Sequence, residues 1–201
     1  MENPWDERYA RPEYIYGVEP NAFFKQELDK LSAGKIFLPA EGEGRNAVYA
    51  AKAGWQVYAM DFSEMGQRKA LKLAKELNVE IHYEVSNLEK SDFQADTYDA
   101  IAIIYAHFSS KIRVNVYQKL AESLKPGGTL ILETFNKKQL GNSSGGPQDI
   151  DMLNSIDDLK QDFKKLEIIE INECQTDLSE GNYHKGKADV IRLLARKPFN
   201  P

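Results

Sequence analysis

Short runs rich in β-branched and aromatic residues alternate along this chain with longer segments of helical periodicity, and this alternation restricts the fold more than any other feature. Seven runs predict strands, at 35–39, 55–60, 80–85, 98–106, 129–135, 166–174 and 188–196. Five segments between them predict helices, at 21–31, 45–54, 63–78, 109–124 and 155–166. Alternating strands and helices are typical of a parallel sheet with helices on both faces. The sequence therefore predicts an α/β fold with a seven-stranded, mostly parallel sheet.

The end of the chain departs from this alternation. A polar stretch at 175–187 without helical period joins the last two strands, so we expect an antiparallel hairpin there. In an open α/β sheet, ligands bind beyond the carboxyl ends of the parallel strands. The long polar segment 136–154 follows the fifth strand at that same edge, and loops of this length are usually functional or disordered. Every loop at the carboxyl edge is therefore a candidate part of a ligand site.

Composition restricts the functions that such a fold can serve. The 201 residues fit one domain, with an arm at 1–21 and a core at 22–201. The net charge of −5 argues against a nucleic-acid partner, and no apolar run approaches the roughly 18 residues of a membrane span. One cysteine and three scattered histidines exclude an internal disulfide and a structural zinc module. We expect a cytoplasmic protein, monomeric or homodimeric, without metal, nucleic-acid or membrane partners.

A glycine-containing loop follows the first strand and precedes a helix. Gly42 and Gly44 let the backbone turn sharply, and the free amides of the new helix can face a polar ligand. Asp61 ends the second strand, 19 residues beyond Gly42, where a carboxylate can accept hydrogen bonds from ribose hydroxyls. Loop and acid together favour a cofactor that contains adenosine. A tight turn beside a helix-capping Asp61 is the purely structural alternative.

Four short motifs occur in the order and at the distances found in one enzyme family. They are GEGRN at 42–46, YAMD at 58–61, TYDAI at 97–101 and LKPGG at 124–128. With the closing hairpin, this layout resembles the class I S-adenosylmethionine-dependent methyltransferases over nearly the whole chain. The resemblance implies a Rossmann-like class I methyltransferase fold, an enzyme, and S-adenosyl-L-methionine as its cofactor.

The two ends of the chain carry a closer likeness. Near the N-terminus stand WDERY at 5–9, YIYG at 14–17 and Pro20-Asn21, and before the last strand stands Glu180-Gly181-x-x-His184-x-Gly186. These segments look like the tellurite-resistance and thiopurine methyltransferase branch of the family. The likeness implies a small-molecule methyl acceptor, such as a chalcogen oxyanion, a thiol or a metabolite.

The resemblance also assigns roles to residues at the carboxyl edge. The loop from Ala40 to Gly44 would hold the methionine part of the cofactor, Asp61 would bind the ribose, and Phe62 would lie beside the adenine. Ala106 and His107 would lie under the methylsulfonium. The implied cofactor-binding residues are Ala40, Glu41, Gly42, Gly44, Asn46, Asp61, Phe62, Asn87, Leu88 and Ala106.

Three positions depart from the family pattern. The acid that many members carry at the end of the first strand is Leu38 or Pro39 here. Ala40 replaces the first glycine of the usual triplet, and Asn87 replaces the aspartate expected at the adenine. Glu41 and Glu43 are the candidates to replace the missing acid.

Methyl transfer is an in-line displacement at a sulfonium carbon, so positioning supplies much of its rate. A general base is required only for a nucleophile that is protonated at neutral pH, and histidine has the suitable pKa. His107 follows the fourth strand and His184 lies in the hairpin connection, so both are expected at the carboxyl edge. Both are candidate catalytic residues, with simple packing or exposure as the alternative.

The first residues form an arm rich in aromatic rings and arginine. Such a segment can fold over a pocket, exclude water, and offer an arginine to an anion or a ring to a cation. Packing on the sheet edge or on a second subunit is the alternative. The candidate residues on the acceptor side are Arg8, Tyr14 and Tyr16, with Arg11 as a second cation.

Two other functions are compatible with the sequence. The pattern Gly42-x-Gly44-x-x-Ala47 followed by Asp61 also suits an NAD(P)-dependent oxidoreductase. The altered end of the first strand, Leu38-Pro39-Ala40, is compatible with a non-catalytic S-adenosylmethionine-binding module.

Overall fold

A seven-stranded sheet forms the centre of the structure, a computed structural model that describes residues 4–199. The strand order is β3-β2-β1-β4-β5-β7-β6. The strands are β1 Lys35–Pro39, β2 Gln56–Asp61, β3 His82–Val85, β4 Tyr98–Ile104, β5 Leu124–Phe135, β6 Glu167–Glu180 and β7 His184–Arg196. The helices are α1 Pro4–Tyr9, α2 Ala22–Leu28, α3 Arg45–Lys52, α4 Glu64–Glu76, α5 Ser110–Ser123 and α6 Ile156–Asp162. The ends of the predicted arm and core, residues 1–3 and 200–201, lie outside the described residues.

The sheet direction confirms the predicted architecture. Strands β1 to β5 pair in parallel with their neighbours, whereas β7 lies antiparallel between β5 and β6. β6 therefore runs in the same direction as the parallel strands. The turn between β6 and β7 consequently returns to the carboxyl edge of the sheet.

Helices cover both faces of the sheet because side chains on successive strand residues point to opposite faces. Along β1, Ile36 and Leu38 belong to one buried cluster with side chains of α2, α3 and α4. Phe37, between them, belongs to a second cluster with side chains of α5 and α6. The core thus has two layers, and the carboxyl edge between them is left to loops.

The hairpin strands are longer than the sequence predicts. Most of the polar stretch 175–187 belongs to β6 and β7, and only residues 181–183 form the turn. β6 is an edge strand, and only Leu178 in this part of it is buried. An edge strand with one solvated face tolerates polar residues, which is why a stretch without apolar runs still forms a strand.

Within the N-terminal arm lies a short helix, α1, that the sequence pattern does not predict. Asp6 accepts hydrogen bonds from Ser63 Oγ and Met65 N at the start of α4. Tyr9 is buried, with its ring against Gly42. A helix of six residues gains little stability from its own hydrogen bonds. These tertiary contacts therefore hold it, and they place the arm over the glycine loop.

Residues 4–199 contain neither a membrane-spanning helix nor a cluster of metal-binding side chains. None of the helices within 4–199 is both long and apolar enough to cross a membrane. Across the same residues, no three His, Cys, Asp or Glu side chains are grouped so as to hold a metal ion.

Candidate active site

A cavity of about 700 Å³ opens at the carboxyl edge of the parallel strands. It is lined by the loops after β1, β2, β3 and β4, by the arm, by the segment 142–148 and by the β6–β7 turn. This is the place where an open α/β sheet binds its ligands, and the volume suits a ligand of cofactor size.

The loop after β1 has the geometry of a tight ligand cradle. Ala40 adopts a left-handed conformation, with φ 53°, and Gly44 begins α3 with φ 88°. A Cβ added at Gly44 would lie 2.5 Å from the Cβ of Ala70, so the packing on α4 requires glycine there. Glu41 Oε1 accepts a hydrogen bond of 2.7 Å from Ala47 N and thereby caps α3. Burial raises the pKa of Glu41 to about 7.

Asp61 ties this loop to the end of β2. Its Oδ2 accepts from Gly42 N at 3.0 Å and its Oδ1 accepts from Ser63 N at 2.9 Å. The backbone N–H of Phe62 is a third donor to this carboxylate, and a carboxylate has about four acceptor positions, so one remains for a ligand. Burial raises the pKa of Asp61 to about 6, against the opposing effect of the three backbone donors. Asp61 is therefore ionised at neutral pH and can accept a hydrogen bond from a ribose hydroxyl.

Apolar surface lies beside Asp61. Leu88 is buried and Phe62 is 46% exposed, and both line the cavity. Asn87 Oδ1 accepts a hydrogen bond of 2.9 Å from Glu89 N, so its oxygen shapes the local turn. The Asn87 amide N–H groups are the suitable donors for a ring nitrogen. A carboxylate flanked by apolar surface and amide donors can bind a hydroxyl and the ring of an adenosine group.

Aromatic rings surround the other end of the cavity. The His107 ring stacks on Phe135 with 5.5 Å between centroids. The His184 ring lies 4.5 Å from that of Tyr16 and 4.7 Å from that of Tyr105. Tyr105 at the end of β4 is left-handed, with φ 52°. Ala40 and Tyr105 thus adopt strained conformations at the ends of two neighbouring strands, and such strain is typical of functional sites.

Both histidines of this end are neutral at neutral pH. Burial, reinforced by His184, lowers the pKa of His107 to about 3, and His107 Nδ1 is buried without a hydrogen-bond partner among residues 4–199. The structure therefore argues against His107 as a general base. Burial also lowers the pKa of His184, although the Glu180 carboxylate, 3.0 Å from its Nδ1, opposes that shift.

The arm forms part of the cavity wall. Arg8 lies over two rings, at 4.6 Å from the centroid of Trp5 and 5.0 Å from that of Tyr183. Its Nη1 donates a hydrogen bond of 3.0 Å to the hydroxyl of Tyr16. These contacts are uncharged, so they hold the guanidinium in place without neutralising it. Arg11 lies farther out, exposed, at 5.7 Å from the Tyr183 centroid.

Two residues have roles that differ from the expected ones. Tyr14 does not line the cavity, because its hydroxyl donates to Lys69 O on α4 at 3.2 Å. Glu43 accepts hydrogen bonds of 2.7 Å from both Ile15 N and Lys69 Nζ. Tyr14 and Glu43 therefore attach the arm to α4, and both oxygens of Glu43, which lines the cavity, already accept hydrogen bonds.

Most of the residues predicted for the site meet in this one cavity. Those that line it are Arg8, Tyr16, Ala40, Glu41, Asn46, Asp61, Phe62, Asn87, Leu88, Ala106, His107 and His184. Gly42 and Gly44 shape the loop without lining the cavity, and Tyr14 lies outside it.

A buried hydrogen-bond network behind His184 was not predicted. Asn21 donates to Glu133 and to Glu180, and Arg45 forms an ion pair of 2.8 Å with Glu180. These residues come from distant parts of the chain, so no local motif unites them. The signal available in the sequence was Glu133, a carboxylate inside an otherwise apolar strand.

Comparisons with known proteins agree with this geometry. A methyltransferase domain matches residues 39–128, which include the glycine loop, Asp61 and β4. TehB from Haemophilus influenzae has a similar structure, with 18% sequence identity and a TM-score of 0.74 over 96% of this chain and 65% of TehB. An S-adenosylmethionine-dependent methyltransferase from Methanosarcina mazei is 17% identical, with a TM-score of 0.71 over 91% of this chain and 100% of that one.

A third similar structure is that of a protein connected with the conversion of a disulfide bond into a thioacetal group during echinomycin biosynthesis. It is 16% identical, with a TM-score of 0.77 over 98% of this chain and 92% of that one. No curated protein sequence matches this chain. At these identities, the structural neighbours show the fold alone. Residues 39–128 thus match a methyltransferase domain, and the chain has the fold of S-adenosylmethionine-dependent methyltransferases.

Proposed function

We propose that this protein transfers the methyl group of S-adenosylmethionine to a small nucleophile, as the tellurite-resistance and thiopurine branch does. The observation that carries the proposal is the way the acceptor end of the cavity is built. The arm, through Arg8 and Tyr16, and the β6–β7 turn, through Tyr183 and His184, contribute to one wall. A wall closed by these segments favours a small acceptor over a macromolecule.

The residues of the cavity have separable tasks in this function. The bound cofactor supplies an electrophilic methyl group on a sulfonium. Asp61 accepts from a ribose hydroxyl, and the loop from Ala40 to Gly44 holds the methionine part. Rings at the other end, those of Tyr16 and Tyr105, exclude water from the acceptor. Positioning of the two reactants supplies much of the rate of such a displacement.

The electrostatics of the acceptor end favour a nucleophile that needs no strong base. The pKa of His107 lies at about 3 because its ring is buried, so the ring cannot remove a proton from a hydroxyl at neutral pH. Arg8 keeps its charge between two aromatic rings and can orient an anion. We therefore infer an acceptor with a lone pair available at neutral pH, such as a thiolate or a chalcogen oxyanion.

Calorimetry with S-adenosylhomocysteine tests the cofactor site. Wild type and a control variant, Asp177→Ala on the exposed side of β6, are expected to bind, and Asp61→Ala is expected to lose most of the affinity. Absence of binding to wild type would overturn the proposal. Stabilisation of wild type by NADH but not by S-adenosylhomocysteine would instead favour the oxidoreductase.

A panel of acceptors tests the reaction. Wild type with S-adenosylmethionine is given thiols, selenite, tellurite and phenols, and the release of S-adenosylhomocysteine is measured. We expect turnover with at least one thiol or oxyanion and little with phenols. Binding without turnover on the whole panel would favour the non-catalytic module.

A further inference from the structure

Asn21 connects two buried carboxylates that lie on different strands. Its Nδ2 donates to Glu133 Oε1 at 2.7 Å and to Glu180 Oε1 at 3.0 Å. Glu133 ends the apolar part of β5, and Glu180 ends β6. Asn21 itself is 2% exposed, so these hydrogen bonds are shielded from water. Both N–H donors of the amide are therefore used to join the two acids.

The other atoms of Asn21 are also engaged. Its Oδ1 accepts from Phe24 N at 2.9 Å and caps α2, and its backbone N donates to Asn46 Oδ1 at 2.9 Å. Only the amide nitrogen reaches the two acids. A side chain that kept the cap but lacked this nitrogen would break the connection alone.

Glu180 transmits this connection to the cavity. Its Oε1 is held by Asn21, while its Oε2 accepts from Arg45 at 2.8 Å and lies 3.0 Å from His184 Nδ1. Arg45 and His184 together hold the pKa of Glu180 at about 2, against the effect of burial, so the acid is a carboxylate. A carboxylate can only accept, so Nδ1 of a neutral His184 carries the proton and its Nε2 keeps the lone pair.

Several groups face His184 from the elements around it. The ionisable ones are Glu180 on β6, Arg45 on α3, Glu133 on β5, His107 after β4, and the hydroxyls of Tyr16 and Tyr105. Glu133 also accepts from Tyr105 Oη at 2.7 Å and from Arg192 Nε at 2.5 Å. Behind the ring, the negative charges of Glu133 and Glu180 are thus matched by the positive charges of Arg192 and Arg45. The neutral amide of Asn21 lies between the two acids.

We propose that Asn21 is a positioning residue of the acceptor site, which holds Glu180 in the orientation that fixes the tautomer of His184 and keeps its Nε2 lone pair available. This inference rests on the proposed function, because it concerns the histidine at the acceptor end. Asn21 touches neither reactant in this role and acts through Glu180.

The tautomer of His184 can be read directly by NMR, since the chain has only three histidines. Long-range proton–nitrogen spectra of labelled wild type are compared with those of Asn21→Ser and Asn21→Asp, and His184→Asn assigns the ring. Serine and aspartate both cap helices well, so α2 keeps its N-cap in either variant. S-adenosylhomocysteine affinity checks that the rest of the site is intact.

Wild type is expected to show His184 in one tautomer, protonated at Nδ1. In Asn21→Ser we expect a mixture of tautomers and a kcat at least tenfold lower, with the cofactor affinity unchanged. In Asn21→Asp we expect the pKa of His184 to rise, because a third carboxylate joins the cluster. That rise would move the acidic limb of the pH profile of kcat to higher pH.

Three outcomes decide between the inferences. A single wild-type tautomer in both variants, with unchanged kcat, would overturn the role of Asn21 and leave it a helix cap. If Asn21→Ser fails to fold, the shift of the His184 titration in Asn21→Asp decides the same question. Mixed tautomers in Asn21→Ser with no turnover by wild type on any acceptor would support the positioning role and overturn the proposed function instead.

Discussion

The contact between Gly44 at the start of α3 and Ala70 in α4 limits which residues the glycine loop after β1 tolerates. Gly44→Ala places a side chain on a residue with φ 88°, which costs about 1–2 kcal/mol in the left-handed region. The new Cβ would lie 2.5 Å from the Cβ and 2.8 Å from the Cα of Ala70, and relief of such overpacking costs about 1–3 kcal/mol more. We expect the free energy of unfolding to fall by about 2–5 kcal/mol.

Gly141 provides a matched control for this substitution. It has φ 86°, but an added Cβ would meet nothing within 4 Å. Gly141→Ala should therefore cost only the backbone term of about 1–2 kcal/mol. Urea unfolding followed by circular dichroism measures all variants. The double variant Gly44→Ala with Ala70→Gly removes the Cβ that the new side chain would meet. It should therefore be more stable than Gly44→Ala alone, although a glycine inside α4 costs roughly 1 kcal/mol. Equal losses at Gly44 and Gly141, with no recovery in the double variant, would refute the packing argument.

Three further predictions concern the cavity. Because Asp61 accepts best as a carboxylate and its pKa is about 6, S-adenosylhomocysteine affinity should fall by up to about tenfold per pH unit below that value. Calorimetry should show the fall in wild type and a much flatter curve in Asp61→Asn, and a flat curve in wild type would contradict this role. Arg8→Gln should raise KM for an anionic acceptor by about tenfold to a hundredfold, since a charged hydrogen bond is worth about 1.5–3 kcal/mol, while the exposed Arg11→Gln should leave KM nearly unchanged. Similar KM values in the two variants would exclude Arg8 from acceptor binding. A Cβ at Gly181 would lie 2.1 Å from Ile15 O, so Gly181→Ala should loosen the arm and speed its cleavage in limited proteolysis, and cleavage at the wild-type rate would show that this contact does not hold the arm.

The fold was predictable from the sequence because buried strands need apolar runs and surface helices need apolar stripes. The apolar runs 35–39 and 98–106 contain the strands β1 and β4, because the burial of both faces of these strands requires such runs. The helix α1 was not predictable, because six residues become helical only through contacts such as those of Asp6 and Tyr9 with distant segments. The strands within the polar stretch 175–187 were not predicted either. They form because β6 and β7 pair with each other, and not because their residues favour strands.

The candidate site was predictable only where the order of the strands brings its residues together. Asp61 and the glycine loop lie next to each other because neighbouring parallel strands end at one edge, which the order of motifs already implies. The network around Asn21 joins positions separated by 112 and 159 residues. Such contacts depend on which strand enters the sheet between which neighbours, and no local pattern in this chain determines that. The charge state of His107 likewise follows from burial and not from its residue type.

The position of β7 between β5 and β6 has a consequence for the order of folding. β6 leaves the ribosome before β7, and until His184–Arg196 has emerged it has no neighbour in the sheet to pair with. Glutamates along it, among them Glu167, Glu170 and Glu173, discourage pairing with other chains during this interval. The half that holds the cofactor can assemble from strands already made, whereas the half that holds the acceptor must wait for the seventh strand. We therefore expect the wall that carries His184 to be the last part of the pocket to form.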